Sequence, residues 1–203
     1  MRTPAGQRDD DLVRRLREGD ETAFTAIYRT WQGPVYRFAL RMTGRTAVAE
    51  DVTQETFMTL ITGADRFDPA RGALSSYLYG IARHRVLHRL ERESAYVPMA
   101  EGDGDEPRAA AAAGSADDPL ADLERRERIA RVRAAVLSLP PHYREAVVLC
   151  DLHRLTYREA ADALACAVGT VRSRLHRGRE LLVAKLGPVA EAAPALRGAP
   201  SVG

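Results

Sequence analysis

Between Glu93 and Asp122 the chain offers almost nothing to bury: three prolines, three glycines, an alanine run at 109–113, and eight acidic side chains against Arg108 alone. Such a stretch cannot offset the entropy of its own ordering. Five alanines also fall far below the roughly 12–15 residues at which a lone helix becomes marginally stable. Residues 93–122 therefore read as a flexible acidic linker, and the chain has to fold on either side of it, over 10–92 and 123–186. The stretch 187–203, with three further prolines and three glycines, reads as a disordered tail.

Both flanks carry helical periodicity. Leu12, Val13, Leu16, Ala23, Phe24, Ile27 and Tyr28 recur at three- and four-residue spacing, interrupted by a Glu-Gly-Asp-Glu turn at 18–21. Val35, Phe38, Ala39 and Met42 continue the pattern to Gly44, and Val48, Val52, Phe57, Leu60 and Ile61 mark a helix over 47–62. Asp68-Pro-Ala-Arg-Gly72 is turn chemistry, after which 74–92 reads as one long helix. Past the linker, 123–137 is a charged helix closed by Leu139-Pro-Pro141, and 142–151, 156–164 and 169–186 supply three more. Val, Ile and Thr never alternate as in strands. With 45% apolar residues there is enough to build cores. The expected fold is all-α, two small helical domains joined by the linker.

No apolar run approaches the roughly 18 residues of a membrane span, and the first residues lack the apolar stretch of a secretory signal. Cys150 and Cys166 are too few for a disulfide framework and form no C-x-x-C pair. The expectation is a soluble cytoplasmic protein with no membrane insertion.

The formal net charge of +2 hides an asymmetry. Residues 12–92 carry thirteen basic and nine acidic side chains, 123–186 carry thirteen and seven, and the linker between them is net −7. Two basic blocks flanking an acidic one point to a polyanionic partner. All thirty basic residues except Lys185 are arginine, the side chain suited to bidentate contact with guanine edges and phosphate. Host codon bias is the better explanation of that choice, so only the placement of the arginines is informative.

Residues 156–179 have the grammar of a helix-turn-helix. Thr156 can cap the first helix with Glu159 completing a capping box. Ala160, Ala161 and Leu164 form its inner face, and alanine allows two helices to approach closely. Thr170 opens the second helix, where Val171, Leu175 and Leu182 recur inward. The other face carries Ser173, His176 and Arg177, flanked by Arg172 and Arg174, with Arg179 following. Donors in the first half of such a helix are placed to reach base edges in the major groove.

The first block carries two further surfaces. Glu50, Asp51, Gln54 and Glu55 lie on a polar stripe with Val52 and Phe57 on the apolar side. An isolated operator-binding domain has no use for such a patch, whereas docking to a basic protein surface does. In 77–92, Tyr77 and Tyr79 are interleaved with Arg83, His84, Arg85, His88 and Arg89. Aromatics beside arginines suit melted DNA, whose exposed bases stack. Helical periodicity is equally consistent with the two tyrosines being core.

These stretches, Ala-Glu-Asp-Val-Thr-Gln-Glu-Thr-Phe57, Tyr77-Leu-Tyr-Gly-Ile-Ala-Arg-His-Arg85, Leu139-Pro-Pro-His-Tyr-Arg-Glu-Ala146 and Val168-Gly-Thr-Val-Arg-Ser-Arg-Leu-His-Arg177, resemble in order and separation a bacterial RNA polymerase sigma factor of the compact extracytoplasmic-function (ECF) type. The resemblance covers about 10–92, similar to the family's region two, and 123–186, similar to region four. It implies that Glu50, Asp51, Gln54, Glu55 and Phe57 dock on the clamp helices of core RNA polymerase. The loop 67–76 and Tyr77, Tyr79, Arg83, His84, Arg85, His88 and Arg89 would recognise and open the minus-ten element. Thr170, Arg172, Ser173, Arg174, His176, Arg177 and Arg179 would read the minus-thirty-five element as duplex promoter DNA, and the linker would thread the RNA exit channel. An anti-sigma factor is implied as a further partner. Tyr77, His84 and His88 stand where the family often has Trp, Asn and Asp, so no minus-ten preference is carried over. Ala165 stands where Gly is common, which raises the cost of the turn if that residue needs a positive φ.

Other chemistries find no residues. Cys150-x-x-His153 has no second pair to complete a metal site, and Cys150 ends the apolar run Val147–Leu149 as a core residue would. The chain contains no P-loop, G-x-G-x-x-G, H-E-x-x-H or G-x-S-x-G pattern, so no enzyme, metal or cofactor is expected. The competing class is a stand-alone helix-turn-helix regulator with 10–92 as a sensor domain. The acidic stripe and the absence of a dimerisation heptad favour the first reading.

Overall fold

A computed structural model describes residues 4–95 and 119–187, so most of the expected linker and tail lies outside the described residues. The described residues form helices and turns, with no strand among them.

Helix α1 (Pro4–Arg17) ends in a turn set by Asp20, whose carboxylate accepts from the Thr22 and Ala23 amides and so caps α2 (Glu21–Thr43). The Thr22 hydroxyl and the Arg15 guanidinium hold that carboxyl well below the ordinary range. Helix α2 runs straight through Gly33-Pro34, where the sequence pattern alone had a gap, and stops at Gly44 in the left-handed region (φ 74°). Gly44 is required twice over: an added Cβ would also sit 2.8 Å from Leu137 Cδ1, in the other half of the chain. Helix α3 (Thr46–Thr62) buries Val48, Val52, Phe57 and Leu60, and its buried Thr53 and Thr56 hydroxyls donate back to the carbonyls four residues earlier. A 3-10 turn at Ala64–Arg66 follows, held by Arg17 donating to the Ala64 and Phe67 carbonyls. The Asp68 turn, closed by its carboxylate on the Ala70 amide, leads into α4 (Leu74–Ala95).

Helix α4 runs to Ala95 and α5 (Pro119–Leu137) begins at Pro119, so both extend into the segment expected to be linker. Proline is tolerated at a helix start because its missing N–H would have no partner there. Helix α6 (Pro141–Val147) gives way to a wide π-turn, Val148–Leu152, and does not continue to 151 as a regular helix. The turn swings His153 inward and leaves Arg154 at φ 59°. Helices α7 (Tyr157–Leu164) and α8 (Val168–Leu186) complete the chain.

The expectation of two domains joined by a tether omits how closely they pack. Phe38, Met42, Leu78, Tyr79 and Val86 from the first half share one buried cluster with Val148, Leu149, Ala160, Ala161 and Leu164 from the second. A smaller cluster of Leu139, Ala146, Val147 and Leu175 holds α6 to α8. Arg144 clamps the junction, donating to the Met42, Leu137 and Leu139 carbonyls. Among the described residues no helix is long and apolar enough to cross a membrane.

Candidate nucleic-acid interface

The helix-turn-helix forms as its sequence dictates. Thr156 Oγ1 accepts from the Glu159 amide while the Glu159 carboxylate accepts from the Thr156 amide, 2.8 Å away, completing the capping box. The first helix ends at Ala165, in the left-handed region with φ 49°, its amide donating to the Ala161 and Asp162 carbonyls. For an L-residue this conformation costs roughly 1–2 kcal/mol, of which glycine's greater freedom in the unfolded chain would return about 0.5–1 kcal/mol. Ala165→Gly should therefore stabilise the protein by about 0.5–1 kcal/mol in urea denaturation. A lowered midpoint would show that the turn carries no such strain.

On α8 the predicted reading residues are displayed together. Arg172, Ser173, His176, Arg177 and Arg179 are exposed, with Thr170 and Arg174 half-buried. Three of the four guanidinium groups have a local support: Arg172 lies over the Tyr157 ring at 5.7 Å, Arg177 pairs with Glu180 at 2.9 Å, and Arg179 grips Asp151 at 3.0 and 2.5 Å. Exposed pairs of this kind are screened by water and hold their partners only weakly. The arginines are therefore preorganised without being committed, and can exchange a carboxylate for a phosphate at little cost. Tyr157, which stacks under Arg172, was missed as a contributor; its place one residue after the cap of the first helix was the available signal.

The acidic stripe and the basic helix, assigned to separate tasks by sequence, meet in the structure. Arg89 donates to Asp51 at 3.0 Å and to Glu55 at 2.5 Å, and Arg85 lies 3.6 Å from Glu55 while donating to Thr59 Oγ1. Of the docking set, Glu50, Asp51 and Gln54 stay exposed. Phe57 is buried edge-on against Phe24 and Tyr28. These rings, with Gln32, Gly33, Glu50, Gln54, Met58 and Ile61, line a groove between α2 and α3. Tyr28, Met58 and Ile61 are exposed along it. Met58 was also missed, because it falls off the inward stripe.

The tyrosine–arginine set on α4 divides. His84 and His88 are exposed, and Tyr77 is half-buried against Phe67, its hydroxyl pushed up by burial. Tyr79 is buried, its hydroxyl 2.8 Å from His153 Nδ1 and pushed up to about 12 by desolvation. Burial holds His153 down at about 4 and therefore neutral, with Nε2 lacking a partner among the described residues. Arg83 Nε donates to Glu145 at 2.8 Å, and Glu145 is 1% exposed. Burial pushes the Glu145 carboxyl up, and Arg83 pulls it partly back. Loop residues Arg66 and Arg71 line the cleft beside these groups together with Arg83, His84 and Arg85. Among the described residues no cluster of His, Cys, Asp and Glu could hold a metal ion. Cys150 is a free thiol packed on the core and pushed up to about 11 by burial.

Two family descriptions match the chain: Sigma-70 region 2 over residues 27–96, and Sigma-70, region 4 over residues 129–182. Among curated proteins, it is 32% identical over 176 residues to the ECF RNA polymerase sigma factor SigW of Bacillus subtilis, covering 84% of this chain and 92% of that one. It is 36% identical over 169 residues to the ECF RNA polymerase sigma factor SigE of Mycolicibacterium smegmatis, covering 81% of this chain and 63% of that longer one. Among solved structures, CnrH in complex with the cytosolic domain of CnrY has a TM-score of 0.65 at 22% identity, covering 88% of this chain and 97% of that one. The sigma factor RpoE in complex with the anti-sigma factor NepR from Bartonella quintana has a TM-score of 0.64 at 24% identity, covering 80% and 96%. At these identities the structures establish the fold.

Proposed function

The chain belongs to the sigma-70 family of RNA polymerase sigma factors, in its ECF group, and from that membership we propose how its surfaces divide the work. As a sigma factor it binds core RNA polymerase, directs it to specific promoters and promotes their opening, rather than acting as a stand-alone operator-binding regulator. The groove between α2 and α3, with Glu50 and Gln54 on its rim, is the docking surface for the polymerase clamp. The loop 67–76 and α4 engage the melted minus-ten strand, with Tyr77 stacking on it and the arginines neutralising it; Tyr79, buried against Phe38 and His153, supports α4 from within. Helix α8 enters the major groove at the minus-thirty-five element. The mechanism is binding throughout, with no catalytic group: interactions made with the melted strand offset the cost of unpairing it, so opening is favourable only where the sequence fits. The opposing partner is an anti-sigma factor, as NepR is for RpoE in the Bartonella quintana complex, and the place of work is the cytoplasm.

The observation that carries this reading is the order of its parts: a region-2 match with an aromatic groove, then a region-4 match with a guanidinium face on its recognition helix. Its test is promoter opening on genomic promoter fragments with and without core polymerase, read by reactivity of unpaired thymines. Opening that needs both components supports it, and sequence-specific duplex binding without core, with no opening in its presence, would overturn it.

For α8, Arg172→Ala or Arg177→Ala in the holoenzyme should weaken binding by about 1–3 kcal/mol, roughly 5- to 150-fold, and relax specificity at one position if the side chain reads a guanine. If it contacts only phosphate, binding weakens uniformly and the salt slope falls by about one. An unchanged binding curve and salt slope would remove that arginine from the interface.

A further inference from the structure

Helix α1 lies outside the region-2 match, which begins at residue 27, yet it reaches the loop assigned above to the melted strand. Arg17, the last residue of α1, turns its guanidinium onto the chain where that loop begins. Its Nε donates to the Ala64 carbonyl at 3.1 Å, and its Nη2 donates to the Phe67 carbonyl. The Asp65 carboxylate lies 3.7 Å from Nε, and the arginine side chain is 32% exposed. We propose that Arg17 is a positioning residue for minus-ten recognition. It makes no contact with DNA, and holds the near end of the loop 67–76 in the geometry that reads the strand. The proposal deepens the sigma-factor reading above and rests on it.

The loop is fastened differently at its two ends. At the far end Leu74 is 1% exposed and opens α4, whose own hydrogen bonds hold it. At the near end stands the single 3-10 turn Ala64–Arg66, a conformation with poorer hydrogen-bond geometry than an α-helix. Phe67 follows it, buried, with its ring 5.4 Å from that of Tyr77. By gripping carbonyls at both ends of the turn, Arg17 fixes where Phe67 sits and so how Tyr77 is presented. The tip of the loop closes on itself: Asp68 accepts from the Ala70 amide with its carboxylate and from the Arg71 amide with its carbonyl. A tip built that way moves as a unit, and its aim is inherited from Phe67.

Arginine suits this task. Its guanidinium is always charged and presents donors in a rigid fork, so one side chain serves two carbonyls at once. Hydrogen bonds from a charged donor are among the stronger ones, and these are partly screened from water. A loop already held in place does not lose backbone freedom when a base of the melted strand binds to it. A loop cut loose at Phe67 does, and it can also shift to accept a wrong base. Loss of the anchor should therefore weaken strand capture and blur discrimination at the minus-ten element. The duplex element read by α8 should be unaffected, because the carbonyls that Arg17 holds all lie in the first half of the chain.

The test compares Arg17→Met, which keeps the stem and deletes the donors, with Arg17→Lys, which restores a cationic donor. In the free protein, amide exchange over residues 66–71 should quicken about tenfold or more in Arg17→Met, the effect of losing a hydrogen bond from a charged group. Unchanged exchange in α8 shows that the variant is folded. In the holoenzyme, opening of a promoter fragment found by the assay above should fall about tenfold. The preference for that fragment over one with a substituted minus-ten base should shrink, with duplex binding and its salt slope unchanged. Arg17→Lys should lie between Arg17→Met and the parent in each respect, and it carries the test alone should α8 lose protection in Arg17→Met. Unchanged exchange over 66–71, or unchanged discrimination between the two fragments, would overturn the proposal. So would a salt slope lowered by about one, which would make Arg17 a phosphate contact. Failure of the unmodified factor with core to open any promoter would sink the sigma-factor reading and the proposal with it, whatever the exchange shows of the loop.

Discussion

Phe38→Ala is expected to cost about 3–5 kcal/mol of stability, the range for truncating a large aromatic in a filled core. Phe38 is fully buried in the C-terminal part of α2, its ring packed edge-on at 5.5 Å from Tyr79 and 6.2 Å from His153. The first lies on α4 and the second follows the π-turn of the other half, so one truncation removes contact across both. Neither neighbour can collapse into the space without giving up the hydrogen bond between them. For a chain of this length the loss corresponds to a fall in melting temperature on the order of 10 °C. Urea denaturation checks it, and a loss below about 1 kcal/mol would mean that the shared core relaxes freely.

Arg83→Ala should have a comparable effect at neutral pH, and a pH dependence that identifies its cause. Removing Arg83 leaves Glu145 buried without its guanidinium, a change typically worth 3–5 kcal/mol. The loss is capped at the free energy that holds the two halves together, because separating them returns Glu145 to water. Burial already raises the Glu145 carboxyl above its ordinary 4.5, and the variant loses the group that lowers it, so its folded-state value climbs further. A carboxyl raised in the folded state binds its proton more tightly there than in the unfolded chain. Its contribution is fully present below 4.5 and is lost as pH rises through the folded-state value. The deficit of Arg83→Ala relative to the parent should therefore be largest at alkaline pH and shrink as the pH is lowered and Glu145 takes up a proton. A deficit independent of pH would assign the loss to packing of the arginine stem rather than to the stranded charge.

Much of the site was legible because local rules decide it. The capping box at Thr156 and Glu159, the stop at Gly44 and the Asp68 turn need only neighbours in sequence. The outward arginines of α8 follow from helical periodicity. What was not legible was the pairing of groups distant along the chain. Asp51 and Glu55 read as a free docking patch, yet Arg89 reaches both from α4. A charge reversal there would perturb α3–α4 packing as well as docking, which makes Glu50 and Gln54 the cleaner positions to probe. Tyr79 and Arg83 read as strand-binding groups, and the fold turns them onto His153 and Glu145.

Composition, periodicity and caps determined by themselves that this chain is helical, that it falls into two parts around an acidic stretch, and that the second part holds a helix-turn-helix whose second helix displays arginines. Those properties depend on interactions spanning a few residues, which a linear pattern records. Only the tertiary structure decided that α4 lies against α6 and α7, because that contact depends on shape at the meeting of two surfaces: the small side chains of α7, the inward swing of a π-turn, and a glycine at 44 against Leu137. None of these has a period, and each acquires its meaning from a partner tens of residues away.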